Sequence, residues 1–269
     1  MKKILIFIIA LLVCCSLLGC QPEAPEASNT ASTPSQTPTV YETPSVEPSI
    51  SPSSQPLTNI GHFDVSQTTL DEGAKQFFGD NFESMFAVLE PLAAASALHT
   101  VNLGGTYTSA EDSDTLWGII YFLGLENPDK YACITGNDEL ALTEEAVRQL
   151  MYSVTGIRYD IEPECRLECM THKKQERVTS AGEWICSEME DIYALQALDT
   201  KRYSMELTEV LNENSEIVLC TKVTDAQAYD PDTEQTGAAV IAELRMRFKI
   251  NVESRFMFTN RAVEGELYG

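Results

Sequence analysis

Residues 243–258 read ELRMRFKINVESRFMF, and this stretch decides the fold class. Apolar side chains occupy alternate positions, with charged or polar side chains between them. Because successive side chains of a strand point to opposite faces of a sheet, a period of two predicts a long β-strand with one buried face. The predicted buried face comprises Leu244, Met246, Phe248, Ile250 and Val252, and the opposite face comprises Glu243, Arg245, Arg247, Lys249 and Asn251.

Two stretches upstream repeat this alternation. They are YSMELTEV at 203–210 and EIVLCTKV at 216–223, and the intervening LNENS has the polar residues typical of a hairpin turn. Consecutive strands joined by short turns pair as antiparallel neighbours. The second half of the chain is therefore predicted to form an antiparallel meander.

The first half has helical spacing instead. NFESMFAVLEPLAAASAL at 81–98 predicts a helix with a kink or boundary at Pro91. SDTLWGIIYFLG at 113–124 predicts a second helix, capped by Ser113 or Asp114 and ended by Gly124.

LTEEAVRQLMYSVTG at 142–156 predicts a third helix, with Thr143 as its N-cap and Gly156 as its left-handed stop. Helices followed by an antiparallel meander define an α+β fold, with N-terminal helices packed on a C-terminal β-sheet. We expect one globular domain at 61–269, helical over 66–156 and mainly strands over 157–269.

The N-terminus carries a different signal. LLVCCSLLGCQPEAP at 11–25 closes an apolar run that follows Lys2 and Lys3. A charged start and a short apolar core predict a signal peptide at 1–19. The LLGC motif resembles the lipobox of bacterial lipoproteins. That resemblance implies a diacylglycerol-bearing, palmitate-type anchor on Cys20, and a protein held on the extracytoplasmic face of the cell membrane.

Residues 20–60 form a Ser/Thr/Pro-rich segment without Lys or Arg. Its composition cannot bury enough apolar surface to offset chain entropy, so we expect a disordered tether. As a coil of about 40 residues it would span on the order of 35 Å.

The formal net charge of −23 limits the partners. An acidic surface repels phosphate backbones, so nucleic-acid binding is not expected. The predicted partners are the membrane, through the anchor on Cys20, and a protein or cell-wall ligand whose identity the sequence leaves open.

The order of LWGIIYFLG, LTEEAVRQLMYSVTG, IRYDIEP and paired strands resembles a group of lipoproteins of Firmicutes, over about residues 113–269. The resemblance implies a lipoprotein domain and no particular activity or site.

The strongest candidate for chemistry is CRLECMTH at 165–172. On a helix, Cys165, Cys169 and His172 would follow one another at one-turn intervals and offer three soft ligands to a transition metal. The alternatives are structural, because export permits disulfides among the mature thiols. Those five thiols are Cys133, Cys165, Cys169, Cys186 and Cys220.

Two further patterns are candidate ion sites. Asp230, Asp232 and Glu234 have the alternate spacing of calcium ligands, although the loop lacks the glycine and terminal glutamate of an EF-hand. Glu111, Asp112 and Asp114 form a second acidic loop. The basic row Arg245, Arg247 and Lys249 would bind an anion unless it pairs across strands with carboxylates such as Glu206.

No catalytic residue and no cofactor is predicted, since the sequence holds no zinc-protease motif, serine-hydrolase elbow or phosphate-binding loop. We therefore expect a non-catalytic binding or interaction module. The alternative from another class is a cell-envelope hydrolase that uses a metal or paired carboxylates, and the third reading is a solute-binding lipoprotein of a transporter.

Overall fold

The computed structural model describes residues 63–135, 139–159, 165–181, 184–230 and 235–268, with the backbone alone at 177–181, 184–187 and 230. The predicted signal peptide, Cys20 and the tether lie outside the described residues. The α+β fold class is confirmed, because helices dominate up to residue 155 and strands dominate from residue 170.

Within the described residues, five α-helices precede the long strands, and side-chain caps begin three of them. Asp71, Asp112 and Thr143 each accept a hydrogen bond from a backbone N–H in the first turn of α1, α3 and α5 respectively. The helices are α1 (Glu72–Phe78), α2 (Phe82–His99), α3 (Ser113–Glu126), α4 (Pro128–Tyr131) and α5 (Glu144–Thr155). A 3₁₀ turn, Gly79–Asn81, joins α1 to α2, and a π turn, Thr100–Gly104, ends α2.

The predicted caps of α5 are confirmed, and those of α3 are wrong. Gly156 closes α5 with φ 77°, whereas α3 begins at Asp112 and runs past Gly124 to Glu126. A Cβ on Gly124 would stand 2.9 Å from Leu142 Cδ2 and 3.0 Å from Leu195 Cδ1. Gly124 therefore serves close packing and not helix termination.

Pro91 neither ends nor interrupts α2. Its ring removes one helical hydrogen bond, and the apolar packing around it outweighs that loss. Leu89 and Leu92 on either side of Pro91 are both fully buried.

The helical run from Glu72 to Gly104 contains an 18-residue window with a mean hydropathy of 1.3, and the run is long enough to cross a membrane. However, 61% of its most apolar window is buried inside the fold, as in the core helix of a globular domain.

The larger sheet is the predicted meander, with two short strands added. β7 (Tyr203–Glu213), β8 (Glu216–Asp230), β9 (Gln235–Ile250) and β10 (Phe258–Leu267) pair in that order, each antiparallel to the next. β1 (Phe63–Asp64) and β2 (Thr69–Leu70) pair with β7 in parallel. The predicted hairpin between β7 and β8 is confirmed, with Asn214 and Ser215 at positive φ in its turn.

The smaller sheet has the order β3, β4, β6, β5. Its members are β3 (Cys133–Ile134), β4 (Leu140–Thr143), β5 (Met170–Ala181) and β6 (Trp184–Leu195). β4 pairs with only three residues of β6, namely Ile192, Tyr193 and Ala194.

The core lies between the helices and the inner face of the larger sheet. Leu244, Met246 and Phe248 of β9 are buried there, as the alternation predicts. The prediction is wrong for the last two members of that face, because β9 ends at Ile250. Ile250 is exposed, and Val252 lies in the following loop with 79% of its surface exposed.

Candidate functional site: buried histidine, charged faces and a free β-ribbon

The residues of CRLECMTH do not form a helix, so that part of the prediction is wrong. Cys165 lies in irregular chain, Cys169 lies in a turn, and His172 lies in β5. His172 Nε2 is 2.8 Å from Asp191 Oδ1 on the neighbouring strand. In the described part of the chain, no three His, Cys, Asp or Glu side chains are grouped to hold a metal ion.

The two thiols of this segment pack against the core instead. Cys165 and Cys169 are half-buried, and burial raises the pKa of Cys165 to about 11. A thiol with such a pKa is almost entirely protonated at neutral pH and is a poor nucleophile.

The remaining cysteines are dispersed. Cys133 is exposed and Cys220 is half-buried on the outer face of β8, while the Cys186 side chain lies outside the described residues. Cys133, Cys165, Cys169 and Cys220 are free thiols in this structure.

The candidate calcium loop also lies largely outside the described residues. Asp232 and Glu234 are not described, and Asp230 is described by its backbone at the end of β8. In the other acidic loop, Asp112 caps α3, and Glu111 lies 3.4 Å from Arg261.

The basic row is partnered by a carboxylate on the next strand but one. Arg245 Nη2 and Arg247 Nη1 donate to the two oxygens of Glu213 at 2.8 and 2.9 Å. This interaction holds the pKa of Glu213 below its usual range. Lys249 lies opposite Glu216, and Glu206 lies opposite Lys222. The basic row therefore pairs with a carboxylate of another strand, as expected, but the partner of Arg245 and Arg247 is Glu213 and not Glu206.

An acidic groove of about 360 Å³ lies between the start of α5 and β6. Glu144 and Glu145 line one wall, and residues 188–191 line the other. Arg148 binds Glu144 within the groove, which neutralises part of its charge. The exposed Met189 adds an apolar surface to this rim.

The most unusual side chain of the core is that of His99, which is not among the residues predicted from the sequence to form a site. It ends α2, is only 2% exposed, and has no hydrogen-bond partner on either ring nitrogen among the described residues. Burial lowers the pKa of His99 to about 4, so the ring is neutral at physiological pH. The signals available in the sequence were a lone histidine on an apolar helix and the Gly-Gly pair that follows it.

Two glycines make room for the His99 ring. A Cβ on Gly104 would overlap Nε2, and a Cβ on Gly118 would overlap Nδ1. The Tyr107 ring packs against the His99 ring, with 5.8 Å between the two ring centroids. Its buried hydroxyl lies close to Ser96 and Asn260, and burial raises its pKa.

The β8–β9 hairpin extends beyond the rest of its sheet. On one side, β7 contributes its last backbone bond at Arg202, which accepts from Ala226 N at 2.9 Å. On the other side, β10 ends with Tyr268 N donating to Ile241 O at 2.7 Å. Among the described residues, 227–230 therefore have strand partners only on β9, and 235–240 have strand partners only on β8. We call these two segments the β8–β9 ribbon.

The β8–β9 ribbon is uncharged over most of its described length. Residues 226–229 and 235–242 contain no Asp, Glu, Lys or Arg. All residues of 235–240 are exposed, and Tyr229 is 63% exposed. Tyr229, Ala228 and residues 235–239 line a cavity of about 270 Å³.

A second ribbon, formed by β5 and β6, extends beyond β4 in the smaller sheet. Its outer strand β5 carries Lys173, Lys174 and Glu176. Charged side chains on an edge strand discourage pairing with another chain. The two ribbons therefore differ in whether their edges are protected.

Comparisons with known proteins add no relationship. No family model matches the chain, and no curated protein or solved structure shows significant similarity to it.

Proposed function

We propose that this chain is a lipid-anchored lipoprotein of the extracytoplasmic membrane face that acts as a non-catalytic interaction module. The lipobox-like LLGC motif supports the anchor at Cys20, and the Ser/Thr/Pro segment supports a tether that separates the domain from the membrane.

The observation that carries the interaction role is the exposed, uncharged edge of the β8–β9 ribbon. Unpaired backbone N–H and C=O groups on an edge strand are a template for another strand. The β8–β9 ribbon displays such an edge, whereas charged side chains protect the β5 edge of the second ribbon.

The anchor is tested by fractionation of the full chain and of Cys20→Ser. We expect the wild type to partition with membranes and to incorporate labelled palmitate. Cys20→Ser should lose the label, whereas Cys14→Ser should keep it. Palmitate label retained by Cys20→Ser would exclude that residue as the acylation site.

The interaction role is tested by photo-crosslinking in cells, with the reactive residue placed at Tyr229, Val240 or Met189 of the two ribbons. A matched control carries it at Ser204, which is exposed on β7 and pairs with Thr224 of β8. We expect products from ribbon positions and none from Ser204. Absence of products from all three ribbon positions would contradict the proposal.

A further inference from the structure

We propose that the β9 edge of the β8–β9 ribbon, residues 235–240, is a self-association site that pairs with the same edge of a second copy of this chain. The inference rests on the proposed interaction role and names a partner for it. It does not depend on the lipid anchor.

The first support is that the backbone groups on this edge of β9 have no strand partner among the described residues. β9 is paired with β10 only as far as Ile241, and the described chain offers no strand beside residues 235–240 on that side. This edge has six consecutive exposed residues, enough for several antiparallel hydrogen bonds. An exposed edge of this length normally carries a charge or a proline that prevents pairing, and this one carries neither.

The second support is charge. In a chain with net charge −23, most surfaces repel an identical copy. The uncharged stretch 235–242 is a place where two copies can approach without opposing carboxylates. The Lys-bearing edge of β5 lacks this property, which distinguishes the two ribbons.

The third support is symmetry. Two identical strands pair antiparallel about a two-fold axis, which produces a closed dimer. Centred on Ala238, such an axis places Thr236 of one copy opposite Val240 of the other. Pairing then stops where β10 begins to cover β9, so the length of the free edge sets the register.

The ribbon is also held in a fixed direction. Its base contains two register shifts, at Val223/Thr224 and Asp225/Ala228, and such bulges redirect a strand pair. Arg202 bonds both oxygens of Asp225 there, and Asp225 accepts from Gln227 N at 2.8 Å. A fixed edge loses less conformational entropy on pairing than a mobile one.

The test uses the full chain in detergent, with light and ¹⁵N-labelled copies mixed in equal amounts and a photo-crosslinking residue at Ala238. We expect a crosslinked product of twice the chain mass in which a light β9 peptide is joined to a heavy one. The same residue placed at Ser204 should give no mixed product. Raising the salt concentration should increase the yield, because it screens repulsion between the acidic copies.

The matched variant adds Ala238→Lys, with the crosslinker moved to Thr236, and its control adds Ser204→Lys. We expect Ala238→Lys to lower the yield of mixed product at least tenfold and Ser204→Lys to leave it unchanged. No mixed product in the wild type, or no effect of Ala238→Lys, would overturn the inference. Products that contain only other proteins would also overturn it, while supporting the interaction role proposed above.

Discussion

Arg202 Nε donates to Asp225 Oδ1 at 2.8 Å, and its Nη2 binds Oδ2 of the same carboxylate, at the point where the β8–β9 ribbon leaves the sheet. The Asp225 side chain is 8% exposed, whereas Arg202 reaches solvent. The pair lowers the pKa of Asp225, chiefly through the hydrogen bonds from Arg202. It therefore fixes the ribbon at a site where the ladder itself is irregular.

Removing one partner of this pair should destabilise the fold. We expect Asp225→Asn to lower the free energy of unfolding by about 1.5–3 kcal/mol, the usual contribution of a hydrogen bond to a charged group. Urea unfolding at pH 7 measures this change. Because the folded-state pKa is lowered, the wild type should lose the contribution on acidification below the ordinary pKa of aspartate, and Asp225→Asn should lack that part of the pH dependence. Equal stability of the two proteins at pH 7 would contradict a stabilising role.

His99 predicts a second acid sensitivity, at higher pH. Its pKa is about 4 in the fold against 6.5 for a free histidine, so the unfolded chain takes up this proton first as the pH falls. The contribution of neutral His99 is complete above pH 6.5 and is lost progressively toward pH 4, by about 3 kcal/mol in all. Comparing the free energies of unfolding of the wild type and His99→Gln at pH 7 and pH 4.5 isolates the contribution of His99. A wild-type slope that His99→Gln does not reduce would show that other groups cause it.

Gly118 should not tolerate alanine, although alanine favours a helix by about 1 kcal/mol. The added methyl would overlap His99 Nδ1, and overpacking of a core costs about 1–3 kcal/mol. We expect Gly118→Ala to lower the thermal midpoint. In a His99→Ala background the same change should become neutral or stabilising, since the overlapping ring is gone. A destabilisation of the same size in both backgrounds would mean that the strain has another source.

Thiol reactivity should follow exposure. Burial raises the pKa of both thiols, to about 11 for Cys165, but Cys133 is exposed to solvent. We expect iodoacetamide at pH 8 to modify Cys133 first and Cys165 much more slowly, because only the thiolate reacts. Peptide mass spectrometry over time gives the order. After unfolding in urea the difference should disappear, which separates burial from local sequence effects.

The sequence predicted those elements whose side chains alternate between core and solvent. Local periodicity decides which strand residues are buried, so the alternation correctly placed Met246 and Phe248 of β9 in the core. Capping chemistry is local too, so the sequence correctly predicted Thr143 and Gly156 as the caps of α5. Gly124 was misread because its role depends on Leu142 and Leu195, which are distant in sequence. Pro91 stays inside a helix in which its neighbours Leu89 and Leu92 are fully buried, and no local rule reports burial.

The candidate site was less predictable than the fold. Whether His99 has hydrogen-bond partners depends on where the neighbouring helices and loops lie. Whether another strand pairs with residues 235–240 of β9 depends on where β10 ends. The parallel pairing of β1 and β2 with β7 was likewise missed, because it joins segments separated by about 140 residues and depends on strands of only two residues.

That distant pairing has a consequence for biosynthesis. A chain is made from its N-terminus, so Phe63 and the residues up to Leu70 emerge well before Met205 and Val210, the β7 residues with which they pair. Phe63 is nearly fully buried and contacts the Phe86 ring edge-on at 5.5 Å. The segment from Phe63 to Leu70 therefore finishes folding among the last, and until β7 has been synthesised it exposes an aromatic surface that a chaperone can bind.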